Sequence, residues 1–217
     1  MIRVFHIRND VRLPEQEWTR RCRTLPKEIQ RDLNRYRRWQ DRQAGLLGKL
    51  LLRYAAKKID AALPELSTLA TGAYRRPYFP YRPDFDFNIS HTDGLVVCCS
   101  AVGMGRLGVD VERVGEVDLG EFRRVFTAEE YAQLQSSPDQ VTDFYRLWTR
   151  KEAVMKADGR GFSLDPADIN CLPERIGVDG THYTVRELHL RPGYAAHLAA
   201  RTLPEVTVHE VSLAELH

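Results

Sequence analysis

The pattern of apolar and polar positions is sharpest from Phe87 to Val114, FNISHTDGLVVCCSAVGMGRLGVDVERV. It reads as a polar turn, a buried strand, a glycine-rich turn and a second strand, so a hairpin is expected. Side chains two apart on a strand share a face. Asp110 and Glu112 therefore point one way while Val109 and Val111 point the other. Two acids on one face beside a buried strand repel unless a cation sits between them, and the pair is read as half of a divalent-metal site.

Elsewhere the pattern predicts a strand over 2–8. A helix is expected from Pro26, a good first-turn residue, to about Arg38. A second, over 39–58, carries Leu46, Leu47, Leu50, Leu51 and Tyr54 at helical spacing. Residues 60–84 are proline-dotted and read as loop. Thr127-Ala128-Glu129-Glu130 is a capping box opening a helix, and Ser137-Pro138-Asp139-Gln140 reads as another. The helix after it should reach about Ala157, with Gly159 as its stop. The last fifty or so residues read as strands with turns at Asp179-Gly180 and Pro192-Gly193.

An internal repeat is visible. Asp93-Gly94 before LVVCCSA resembles Pro192-Gly193 before YAAHLAA, and a shift of about 99 residues also lands the 40–58 helix on 139–157. The expected fold class is α+β: two similar α+β subdomains, 1–103 and 104–217, related by a pseudo-two-fold, with the active site at their interface.

Composition changes this picture little. Of 217 residues, 43% are apolar and 29% charged, as in an ordinary globular chain. The start, MIRVFHIRND, mixes charges with apolar residues, and the near-apolar run around Gly94–Gly105 is too short to span a bilayer. A cytoplasmic monomer without membrane or nucleic-acid partners is expected. Cys22, Cys98, Cys99 and Cys171 form no C-x-x-C pair and read as small core hydrophobes of a reducing compartment. Charge matters more. The net charge of +2 hides 16 Lys/Arg against 7 Asp/Glu in residues 1–60 and the reverse bias beyond. A polyanion gripped at one side and a cation held at the other would suit that asymmetry.

Candidate chemistry clusters in FYRLWTRKEAVMKADGRG. Glu152 and Lys156 stand one helical turn apart, either as a surface salt bridge or with Glu152 as a third carboxylate beside Asp110 and Glu112. Magnesium, a hard ion, takes few carboxylates and completes its shell with water and phosphate. Lys151 and Lys156 would meet the same phosphates. His91 is either a satisfied loop histidine or a phosphate donor, with Ser90 and Thr92 adding hydroxyls. Lys27, Arg31, Arg35, Arg38 and Arg42 form one stripe if their helix is continuous: a solvated face, or a landing surface for a phosphate or acidic protein. Arg75 and Arg76 beside Pro77, Tyr78 and Phe79 are suited to a phosphate and a flat base. G-M-G-R-L-G at 103–108 precedes a strand, so it fails as a dinucleotide fingerprint.

Together these motifs resemble the Sfp-type 4′-phosphopantetheinyl transferases. The resemblance runs through Arg76-Pro77, F-N-I-S-H at 87–91, G-V-D-V-E at 108–112, F-T-x-x-E at 126–130, W-x-x-K-E-x-x-x-K at 148–156 and G-x-G at 159–161. It implies transfer of the phosphopantetheine arm of coenzyme A to a serine of an apo acyl or peptidyl carrier protein, with Mg²⁺ and release of 3′,5′-ADP. Fatty-acid, polyketide and non-ribosomal peptide biosynthesis all use such carriers. By position it implies Asp110, Glu112 and Glu152 as metal ligands, with Glu152 also the base for the serine proton, directly or through a water. His91 becomes a pyrophosphate contact with Ser90 beside it, and Lys151 and Lys156 phosphate contacts, Lys156 nearest the leaving group. Arg76 with Pro77, and Arg38 and Arg42, fall to the adenine and 3′-phosphate region. The family often has Gly where Arg75 stands, and an Arg near Gln43-Ala44. A Mg²⁺ nuclease lacks its usual D…(D/E)-x-K spacing here, and a non-catalytic carrier-binding module has no need of three acids.

Overall fold

The leucine-rich helix organises the first half of the computed structural model, which describes residues 1–59 and 65–216. This helix, α3 (Trp39–Ile59), follows α1 (Glu15–Cys22) and α2 (Lys27–Leu33). Its Leu46, Leu47, Leu50 and Leu51 are buried with Phe5, Ile7, Phe85, Phe87, Val96 and Cys98. Those partners lie on β1 (Ile2–Asn9), β4 (Phe85–Thr92) and β5 (Gly94–Val102). Between them, β2 (Ala70–Thr71) and β3 (Pro77–Tyr78) form a small antiparallel pair. Part of the expected 60–84 loop, residues 60–64, lies outside the described residues.

The second half holds β6 (Leu107–Arg113), α4 (Ala128–Ser136), α5 (Gln140–Asp158), β7 (Arg175–Val178), β8 (Thr181–Glu187), β9 (Tyr194–Ala200) and β10 (Val206–Glu210). One sheet runs β10-β1-β5-β4 and the other β6-β9-β8-β7, so the last strand returns to the first sheet, parallel to β1. The sheets share an apolar layer containing Val4, Val97 and Cys99 from one and Val109, Val111 and Leu198 from the other. The order through the molecule is helix α3, sheet, sheet, helix α5. This is an α+β fold. No helix among the described residues is long and apolar enough to cross a membrane.

Several expectations need correction. β5 pairs with β1 and β4 and β6 with β9, so 94–113 is no hairpin. Gly103 and Gly105, both at φ 70°, carry the chain from one sheet to the other. The block 87–92 is strand, not turn, because Phe87 and Ile89 have an apolar helix to cover them. The 26–38 helix stops at Leu33, so the basic stripe is broken between α2 and α3. Thr127 does form its capping box. At α5, however, Asp139 caps Thr142, and Ser137 donates to Asp143 instead. Gly159 ends α5 at φ 90°, where a glycine is at ease. All four cysteines are buried and free.

Candidate functional site

Alternation along β4 builds one wall of the site. Phe85, Phe87 and Ile89 face α3, so Asp86, Asn88, Ser90 and Thr92 face the other way. These four reach β6 as a row. Asp86 Oδ2 accepts Leu107 N–H at 2.7 Å, and Asn88 Oδ1 accepts Val109 N–H at 2.9 Å. Ser90 Oγ donates to Asp110 Oδ1 and Thr92 Oγ1 to Glu112 Oε2, each at 2.8 Å. Side chains thus replace a backbone ladder between the two sheet edges. The signal was present in the sequence as polar residues at 86, 88, 90 and 92.

Close contact with α5 builds the other wall. A Cβ on Gly108 would lie 1.9 Å from the Ala153 carbonyl oxygen, so β6 and α5 touch backbone to backbone. Lys156 Nζ consequently reaches Asp110 Oδ1 at 2.6 Å and Ser90 Oγ at 3.0 Å. The Glu112 carboxyl is raised chiefly by burial and further by Asp110, with Thr92, Lys156 and Trp148 pulling the other way. Burial pushes Glu152 up to about 7 against the pull of Lys156, with Asp110 and Glu112 adding to the rise.

A divalent cation would need carboxylate oxygens that converge. Among the described residues, no three His, Cys, Asp or Glu converge into a closed ligand group. Asp110 Oδ2 and Glu152 Oε1 are nevertheless buried without a hydrogen-bond partner. Buried carboxylate oxygens without partners are costly, and three coupled acids with two free oxygens fit a hard cation.

Other expected site residues are placed differently. Lys151, read as a phosphate contact, is fully buried. Its ammonium donates to Glu130 at 2.9 Å and to the carbonyls of Pro166 and Ile169, which uses all three of its protons. Arg76, read as an adenine or 3′-phosphate contact, is spent inside the protein on Asp86, Phe87, Leu107 and Lys156. Pro77 pairs with Thr71 in the small sheet. Arg75 takes φ 60°, the conformation that a glycine there would adopt without strain. Arg42 stacks 4.4 Å over Trp18 and donates to Asn34 Oδ1. Arg38 is exposed just ahead of α3.

His91 falls on the opposite face of β4 from Ser90. It is solvent-accessible, yet the surrounding protein lowers its pKa, with Asp41 opposing. It lines a cavity of about 570 Å³ between α2, α3, β2 and β4. Lys49 lines the same cavity, and burial lowers its pKa. Sequence reasoning missed Lys49, whose signal was a cation set among the leucines of α3.

Residues 13–103 match the family model for the 4′-phosphopantetheinyl transferase N-terminal region, and residues 106–200 match that of the 4′-phosphopantetheinyl transferase superfamily. The chain is 34% identical to a 4′-phosphopantetheinyl transferase of Bacillus subtilis, over 75% of this chain and 73% of the relative. It is 36% identical to the transferase gsp of Aneurinibacillus migulanus, over 64% and 58%. With the transferase Sfp of Bacillus subtilis strain 168 it shares 30% identity over 82% and 79%. On these matches, the chain belongs to the Sfp-type 4′-phosphopantetheinyl transferases, a family of enzymes that use coenzyme A as substrate.

Proposed function

We propose that the protein moves the 4′-phosphopantetheine arm of coenzyme A onto a serine hydroxyl of an apo acyl or peptidyl carrier protein, releasing 3′,5′-ADP. The observation that carries this reading is the set Asp110, Glu112, Glu152 and Lys156, gathered where β4, β6 and α5 meet, with two buried carboxylate oxygens left unpartnered. Asp110, Glu112 and Glu152 would hold Mg²⁺. When bound, the ion supplies charge shielding on the pyrophosphate and polarises the phosphorus under attack.

The chain's own residues do the rest. Ser90 and Thr92 fix the rotamers of Asp110 and Glu112 through their hydroxyls. Lys156 exchanges its contact with Asp110 for the phosphate oxygen on which charge grows as 3′,5′-ADP leaves. The Glu152 carboxylate takes the proton from the carrier serine, directly or through a water. His91, at the end of β4, donates to a phosphate from the rim. The half 1–103 offers the basic surfaces and the cavity beside His91 to coenzyme A, and the half 104–217 offers the acids and Lys156. We read the halves as related by a pseudo-two-fold, because α3 and α5 take matching places on their sheets. A cytoplasmic monomer suits the four free buried cysteines and a soluble carrier.

Incubation with an apo carrier domain, coenzyme A and Mg²⁺ should give a carrier heavier by one phosphopantetheine arm in the mass spectrum, and EDTA should prevent it. No mass gain across acyl, polyketide and peptidyl carriers would reject the proposal.

A further inference from the structure

Three elements must keep register for the site to exist: β4 with Ser90, β6 with Asp110 and Glu112, and α5 with Glu152 and Lys156. One side chain, on the turn into β3, touches all three. Arg76 Nη2 donates to Asp86 Oδ2 at 2.6 Å, to the Leu107 carbonyl at 2.8 Å and to the Phe87 carbonyl at 3.1 Å. Its Nη1 donates to the carbonyl of Lys156. The Arg76 and Asp86 side chains are only 12% and 17% exposed, so water competes little for these bonds.

The bond to Lys156 has a particular meaning. The last four carbonyls of a helix lack intrahelical partners, and a cation there also meets the negative end of the helix dipole. In α5, Gly159 N–H takes the Met155 carbonyl and Arg106 takes that of Asp158. Arg76 takes that of Lys156 itself. The C-terminus of the helix that carries Glu152 and Lys156 is therefore capped from the other half of the chain. A planar guanidinium spreads its donors over separate nitrogens in one plane, a geometry that a compact ammonium does not reproduce.

We propose that Arg76 is a positioning residue: it locks the end of α5 to β4 and β6 so that Lys156 and Glu152 meet Asp110, and it takes no part in holding coenzyme A. This deepens the transferase reading and rests on it for its kinetic consequences. The structural consequence stands apart from it.

The test uses the full chain with Arg76→Met and Arg76→Lys. In hydrogen exchange, the amides of the last turn of α5 should exchange about tenfold faster in Arg76→Met, the scale of a lost helix cap, while those of mid-α3 keep their protection. In steady-state transfer, kcat should fall about 100-fold, the scale of a displaced catalytic group, with KM for coenzyme A within about threefold. The same kcat loss should appear with 3′-dephospho-coenzyme A. Arg76→Lys keeps the charge but gathers its donors on one nitrogen, and should fold as wild type with a loss of about tenfold; it decides the matter if Arg76→Met does not fold. Unchanged exchange at the end of α5 overturns the proposal. So does a loss confined to KM for coenzyme A and absent with the 3′-dephospho form, which would make Arg76 a phosphate contact. A wild-type enzyme without transfer activity would reject the transferase reading alone, and the exchange result would still decide the role of Arg76.

Discussion

The two long helices hold matching places and do different work. α3 meets its sheet through a layer of leucines, and even at Gly48 an added Cβ would stop 3.1 Å from the movable Cγ2 of Ile89. α5 meets β6 through Ala153 and Ala157 against Gly108, where an added Cβ would collide with fixed backbone. A leucine layer holds helix and sheet a full side chain apart. Without it, short acids on the strand and a lysine on the helix come within hydrogen-bond reach. The same architecture therefore gives packing on one side and a candidate site on the other, and the difference is the size of a few side chains.

The comparison breaks most visibly within α5 itself. Lys151→Met should cost about 3–5 kcal/mol, because Glu130 is left buried and uncompensated. Chemical denaturation measures this, and adding Glu130→Gln should restore much of the loss. Lys156, at 27% side-chain exposure, should cost less, because Ser90 still donates to Asp110: Lys156→Met should lose about 1–2 kcal/mol of stability but about 10³-fold in transfer. Similar stability losses in the two variants would contradict the division between a structural and a functional lysine.

Next in size is the helix–strand contact. Gly108→Ala should cost about 3 kcal/mol from overpacking against backbone. Gly48→Ala should stay within about 1 kcal/mol of wild type, since helix propensity offsets the tight contact with Ile89. Equal costs would mean that α5 can move away from β6 freely.

Glu152→Gln removes a buried acid whose ionised form is disfavoured, so its melting temperature in EDTA should rise by a few degrees, about 1 kcal/mol. Mg²⁺ should raise the melting temperature of the wild type but not of this variant. Equal Mg²⁺ shifts in both would remove Glu152 from the ligand set. The smallest effect is expected at the cap of α4, where Thr127→Ala should cost about 1 kcal/mol without changing KM.

Much of this was legible in the residues. The leucine spacing of α3, the Thr127 box and the Gly159 stop are local, and local chemistry decides them. The face shared by Asp110 and Glu112 followed from strand alternation alone. The same alternation separates Ser90 from His91, once 87–92 is known to be strand. What stayed hidden was the fate of cations. Lys151 and Lys156 both read as phosphate contacts in K-E-x-x-x-K, and Arg76 beside Pro77 reads as a contact for a phosphate and a flat base. Their partners lie far along the chain, at Glu130, Asp110, Asp86 and Leu107, and no spacing rule reaches them.

By itself, the sequence determined which side chains share a strand or helix face, because backbone geometry repeats every few residues. It also determined the family, through motifs held in order. Only the tertiary structure decided which charges are consumed in holding the halves together and which are left to act. That choice depends on burial, and burial is set by whatever the rest of the chain brings alongside. Lys156 reaches Asp110 because Gly108 lets α5 lie against β6, and Arg76 is buried because it bonds the end of that same helix from across the molecule.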